Sequence, residues 1–199
     1  CRYRLMTLSF NLQGLFFSML GRKPVSLEHV PIRKRGTPLS IDEKWMVVRV
    51  FDRCNEERQK QVYNAVLKIQ KAAIKMLEPR NTLEKYQNAV VKLMEAELIR
   101  LGVLKKADIK KQSEDEPLYK KFFPHGTSHH LGLDVHDYGD RHRKFVSGMV
   151  FTCEPGIYIR DEAIGVRIEN DILITSKAPV DLTKSIPREA EEIEDLMNK

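Results

Sequence analysis

The chain has 199 residues, 42% of them hydrophobic and 31% charged, with only ten Gly and nine Pro. That is enough for an ordinary domain with its own core, and it excludes a disordered, collagen-like or low-complexity chain. The net charge of +6 is confined to residues 1–55, where ten Lys/Arg face four Asp/Glu; this reads as a basic arm, without the aromatic–basic interleaving of a nucleic-acid-binding surface.

Leu5 to Leu20 (LMTLSFNLQGLFFSML) follows Arg2 and Arg4 and superficially resembles a secretion leader. It has 16 residues, fewer than the roughly 20 a spanning helix needs, and no small-residue cleavage site follows it. Leu5, Leu8, Leu12, Leu15, Phe16 and Met19 have the spacing of an amphipathic helix instead. Pro24, Pro31, Gly36 and Pro38 then break the chain into loop. Neither a leader nor a membrane partner is expected. Residues 1–55 stand as an unassigned basic segment whose composition differs sharply from that of residues 56–199, as a displaced reading frame would leave it.

From Glu56 the pattern becomes regular. Val62, Val66, Ile69, Ala73 and Leu77 mark one helix face, and Pro79 lies just beyond its end. Thr82 can cap a second helix that carries Leu83, Val90, Leu93 and Leu101 and stops at Gly102. A charged stretch from Lys105 to Lys121 links to a series of short β-rich runs: Met149–Cys153, Ile157–Ile159, Val166–Ile168 and Ile172–Thr175. Pro187 is expected to open a last helix bearing Ile186, Ala190, Ile193 and Met197. Helices followed by an antiparallel run predict an α+β fold.

Five of the six histidines fall between positions 125 and 142: His125, His129, His130, His136 and His142. Two carboxylates come next, inside apolar β-rich runs, Glu154 in VFTCEPG and Glu169 in GVRIENDILI. An ionised group there is costly unless it is paired or holds a cation. Arg167 and Glu169 are two residues apart on one sheet face and could pair with each other. The alternative is an imidazole-plus-carboxylate metal site, a donor set that suits manganese, cobalt, zinc or ferrous iron. Cys1, Cys54 and Cys153 are odd in number and scattered, which argues against a disulfide framework and a thiolate zinc site and for a reducing, cytoplasmic compartment. Cys153, beside Glu154, reads as a packed small hydrophobe.

The strings HGTSHHLGLDVHD, TCEPGIYI and GVRIENDILIT resemble the signature boxes of aminopeptidase P and Xaa-Pro dipeptidase (prolidase). These are the proline peptidases among the pita-bread (creatinase/methionine aminopeptidase-like) metallopeptidases. The resemblance runs from the helix around Tyr63 to the closing helix. It implies that residues 56–199 are the C-terminal part of the catalytic domain, an α+β pita-bread fold incomplete at its N-terminal half, with a curved antiparallel sheet and helices outside it. It implies two divalent metal ions, typically manganese or cobalt, bridged by a hydroxide that attacks the bond before proline. It further implies His129, Glu154 and Glu169 as metal ligands and Glu154 as handler of the hydroxide's proton. His125 and His136 would be outer histidines toward a proline-containing peptide substrate, and Arg167 would orient the ligand shell. His130 and His142 match no role and read as surface residues. Family members commonly form homo-oligomers.

The family draws two further ligands from an Asp-x-Gly box and an Asp-x-Thr-Arg-Thr box ahead of the first helix. Counting back from Tyr63 places them near Arg33 and Lys44. Asp42 and Asp52 are out of register and lack the Thr-Arg-Thr context, so neither takes the role. Two dications in close approach need more negative charge than three ligands supply. Two readings therefore stand: an Xaa-Pro metallopeptidase, inactive in this chain if nothing replaces the aspartates, and a catalytically dead pita-bread domain that binds peptides or proteins.

Overall fold

The computed structural model describes residues 4–8, 56–113 and 115–197. Its first element is a strand, β1 (Arg4–Leu8), where the spacing of Leu5 and Leu8 predicts a helix. β1 pairs in parallel with a later strand, Met6 opposite Val166. A hydrogen-bonded edge outweighs helical spacing over so few residues, because helix nucleation is unfavourable in short pieces. The rest of the apolar run, from residue 9 to Leu20, lies outside the described residues, as do Arg33, Asp42, Lys44 and Asp52.

Helix α1 (Glu56–Met76) buries Val62, Val66, Ile69 and Ala73, and Leu77 beyond its end, as the spacing predicts. Tyr63, Ala65 and Gln70 are buried on it as well, a wide stripe because the helix packs on both the sheet and the next helix. Helix α2 (Leu83–Arg100) starts at Thr82, whose backbone is extended and whose hydroxyl accepts the Lys85 N–H at 3.3 Å. Its buried apolar residues Tyr86, Val90, Met94 and Leu98 form a strict i, i+4 row; Leu83 and Leu93, off that row, are only partly buried. Gly102, at φ +75°, turns the chain out of the helix. The charged linker contains a short helix, α3 (Lys106–Ile109), and a 3₁₀ turn over Leu118–Lys121.

Five strands complete the sheets: β2 (Val150–Cys153), β3 (Gly156–Ile159), β4 (Ile164–Ile168), β5 (Asn170–Leu173) and β6 (Val180–Asp181). They form two three-stranded sheets, ordered β1-β4-β3 and β2-β5-β6. Pairing is antiparallel except between β1 and β4. Ala163 adopts a left-handed conformation (φ +54°) at the corner that sends β3 back as β4. Phe145, Phe151, Ile157, Val166, Ile168 and Ile172 meet the helix stripes in one core.

The closing helix α4 (Ala190–Met197) starts three residues after Pro187, not at it. Residues 187–189 are held by other bonds: the Tyr63 hydroxyl donates to the Arg188 carbonyl at 2.8 Å, and the Arg188 guanidinium pairs with Asp181 at 3.1 Å. Ile186, Ala190 and Ile193 are buried as expected.

Candidate metal centre

Strand β2 alternates. Phe151 and Cys153 enter the core, while Thr152 and Glu154 point to the other face. The segment around His129 runs alongside β2 as an extra ladder. The Thr152 N–H donates to the His129 carbonyl at 3.1 Å, Leu131 N–H to the Val150 carbonyl at 3.1 Å, and Glu154 N–H to the Thr127 carbonyl at 2.7 Å. The Thr152 hydroxyl accepts the His129 N–H at 3.1 Å and donates toward Glu154 Oε1 at 3.4 Å. On the other side Cys153 pairs with Asn170, a register that sets Glu169 beside Glu154. The outcome is a cluster in which His129, Glu154 and Glu169 each offer one ligand atom, all within 4.8 Å of one another.

The protonation pattern suits a cation. His129 Nδ1 faces the His130 carbonyl at 2.9 Å, so Nδ1 carries the hydrogen and Nε2 presents its lone pair. That lone pair meets Glu154 Oε1 at 3.3 Å. Two acceptors in contact require a proton or a metal ion between them. Burial pulls His129 below the ordinary imidazole value. Glu154 is pushed up to about 7, first by burial and then by the charge of Glu169, against the pull of Arg167 and the Thr152 hydroxyl. One neutral imidazole nitrogen and two carboxylates in a partly dehydrated pocket fit a divalent cation.

The metal-free protein should carry a stability signature of this site. A carboxyl whose folded pKa is raised stabilises below its unfolded value, and that contribution is lost as pH rises through the folded value, here from about 4.5 to about 7. Burial pulls His125, His129 and His130 down; these titrate in the opposite sense, losing stability as pH falls below about 6.5. The difference between the wild type and Glu154→Gln reports the carboxyl together with its repulsion from Glu169. In urea unfolding without metal, the variant should gain on the wild type by roughly 3 kcal/mol between pH 4.5 and 8. A constant difference across that range would refute the assignment.

The outer residues form a line. His125 Nδ1 faces the Gly126 carbonyl at 2.8 Å, so Nε2 accepts from the Tyr158 hydroxyl at 2.9 Å. Phe123 and Tyr158 present their rings edge-on to the same imidazole. The Tyr158 oxygen in turn takes a hydrogen bond from Arg167, whose Nη1 lies 3.4 Å from Glu154 Oε2. Arg167 therefore reaches Glu154 across the strands, and its Nε is buried without a partner among the described residues. His136 is exposed, with its ring 4.2 Å from that of His129.

Sequence reasoning passed over Tyr158 and Thr152, although both lie within TCEPGIYI, four residues after and two before Glu154. It also misread His130. That ring is half-buried, lies 4.2 Å from Phe151 and borders a cavity of about 500 Å³ with Tyr138, Asp140 and Arg143. Alternation along the ladder sends His129 to one face and His130 to the other. His142 is on the surface as expected, with Nδ1 3.2 Å from Glu84. Cys153 is fully buried, and burial pushes its thiol up to about 12.

The turn carrying Glu169 is braced from behind. Gln70 on α1 donates to Asn170 Oδ1 at 2.8 Å, and Asn170 donates to both oxygens of Asp181 at 3.1 Å. Asp181 is held by Arg188 and Thr183. Outer hydrogen bonds of this kind fix the orientation of ligand side chains.

Residues 43–176 match metallopeptidase family M24. The chain is 41% identical over 152 residues to Xaa-Pro aminopeptidase of Haemophilus influenzae, and 39% identical over 153 residues to that of Escherichia coli. These alignments cover 70% and 71% of this chain but only 35% and 34% of those proteins. Among solved structures, E. coli aminopeptidase P (low pH form) superposes with a TM-score of 0.64 at 36% identity, over 71% of this chain and 34% of that one. Icp55 of Saccharomyces cerevisiae, bound to the inhibitor apstatin, gives 0.62 at 32%, over 72% and 36%. The fold is thus part of the pita-bread domain of aminopeptidase P. The chain belongs to metallopeptidase family M24, whose members use divalent metals, and within it resembles the Xaa-Pro aminopeptidases.

Proposed function

We propose that residues 56–199 are the C-terminal part of the catalytic domain of a metal-dependent peptidase that releases the N-terminal residue preceding proline, with residues 1–55 left unassigned except where the family match enters them at residue 43. The observation that carries this reading is the convergence of His129, Glu154 and Glu169 within 4.8 Å, with the His129 Nε2 lone pair turned inward. His129 Nε2 and the two carboxylates would hold the cation, manganese in our reading, with cobalt or zinc as substitutes. When bound, the cation activates water near neutral pH and polarises the scissile carbonyl.

The chain's own groups do the rest. Glu154, beside the cation, takes the proton from the attacking water and returns it to the leaving imino nitrogen. Arg167 and Thr152 hold Glu154 in place while it does so. His125, kept neutral by burial and by its bond from Tyr158, and the exposed His136 flank the cleft where a proline-containing peptide would lie. The free thiol of Cys153 suits a reducing, cytoplasmic setting. No described helix is long and apolar enough to cross a membrane.

The test is manganese-dependent cleavage of an Xaa-Pro peptide by the full chain, with an otherwise identical Xaa-Ala peptide as control. Cleavage before proline alone supports the reading. No cleavage by folded protein that still captures the peptide would favour the second reading, a binding domain. That alternative is supported by Arg33 and Lys44, which stand near the places where counting back from Tyr63 expects the family's aspartates.

A further inference from the structure

One acidic side chain beside the centre remains unexplained. Asp171 is 3% exposed, and its Oδ1 has no hydrogen-bond partner among the described residues. A buried carboxylate oxygen without a donor costs several kcal/mol of lost hydration, so its retention needs a reason. Its position supplies one. Asp171 lies opposite Thr152 in the β2–β5 ladder, and directly paired residues of antiparallel strands share a face. That face is the one on which the Thr152 hydroxyl meets Glu154 Oε1 and the His129 N–H. Asp171 is also two residues from Glu169 along the chain, so the two share that face. It stands outside the group of three ligand atoms.

Three protein atoms leave open positions around a manganese-sized ion, which water fills.

We propose that Asp171 is an outer carboxylate of the metal centre, accepting through Oδ1 a hydrogen bond from a water that the divalent cation holds. It is a positioning residue, acting on the ion through that water. The proposal rests on the metal-centre reading above and extends it to a residue outside the three ligands.

The experiment compares Mn²⁺ binding to the full chain and to its Asp171→Asn variant by calorimetry, together with the melting temperature of each metal-free protein at pH 8. The variant should bind Mn²⁺ about 10- to 100-fold more weakly, the loss typical of removing an outer partner. Its metal-free melting temperature should equal or exceed that of the wild type, since a buried charge without a donor has been neutralised. Asp171→Ser, smaller and also neutral, should weaken the metal in the same way. Unchanged affinity in both variants would overturn the proposal and leave the metal centre standing. A lower metal-free melting temperature accompanying the lost affinity would also overturn it, in favour of a purely structural carboxyl. If the wild type itself takes up no Mn²⁺, the metal-centre reading fails and the proposal falls with it.

Discussion

Glu154→Gln should remove manganese-dependent cleavage before proline, by on the order of 10³–10⁴-fold in kcat/KM, while the metal-free protein becomes more stable above neutral pH. The two effects have one origin. The Glu154 side chain is 13% exposed and touches His129 Nε2 at 3.3 Å, Arg167 Nη1 at 3.4 Å and the Thr152 hydroxyl at 3.4 Å. Gln preserves volume and can keep the Thr152 contact. It cannot neutralise a cation, and it cannot carry a proton from water to the leaving nitrogen. The fold thus loses an unfavourable buried charge and the site loses the group that would perform the chemistry. Kinetics on peptide, paired with urea midpoints at pH 8, read both. A variant that retained cleavage would remove Glu154 from the mechanism, and one that lost stability would mean its charge is already compensated in the metal-free fold.

Phe151→Ala should cost about 3–5 kcal/mol, the usual range for emptying a fully buried phenylalanine site. Phe151 is completely buried on β2, with ring centroids 4.6 Å from Phe145 and 4.2 Å from His130. It lies between Val150 and Thr152, whose backbone groups form the ladder that carries His129. The cavity would therefore open directly behind His129. Besides a lower denaturation midpoint, the variant should bind Mn²⁺ more weakly, because His129 would no longer be held against β2. Phe151→Leu, which refills most of the volume, should recover the larger part of both losses. Full metal affinity in a strongly destabilised Phe151→Ala protein would show that the ladder orients His129 without help from the core.

The parts legible in the sequence are those governed by local rules. The stripe on α1 and the cap at Thr82 arise from spacing and from the hydroxyl that accepts Lys85 N–H. Strands β2 to β5 fall within two residues of their predicted limits, whereas β6 corresponds to no predicted run. The resemblance nominated His129, Glu154 and Glu169, and the ladder register does bring them together. The illegible parts depend on partners distant in sequence. Leu5 and Leu8 have helical spacing, yet pairing with β4 makes Arg4–Leu8 a strand. Pro187 could open a helix, yet Tyr63, 125 residues away, holds Arg188 back. Arg167 and Glu169 share a sheet face by spacing alone, whereas the contact of Arg167 with Glu154 depends on how β2 and β4 approach. The resemblance set His129 apart from His130, but only the ladder shows that His130 turns to the opposite face, against Phe151. Tyr158 joins the site only because β3 brings its hydroxyl to His125.

The burial of Cys153 makes the strand that carries Glu154 its own clock. With the thiol raised to about 12 by burial and facing the Tyr86 hydroxyl at 3.5 Å, only roughly one molecule in ten thousand would hold a thiolate there at pH 8, and that one would be sealed from reagent. Alkylation at Cys153 therefore has to wait for β2 to part from α1 and α2, an excursion that also dismantles the ladder beside His129. The rate at which this sulfur acquires a label counts how often β2 breathes. A cation that ties β2 to the neighbouring turn should slow that count, so ion occupancy could be read from a sulfur that never touches the ion.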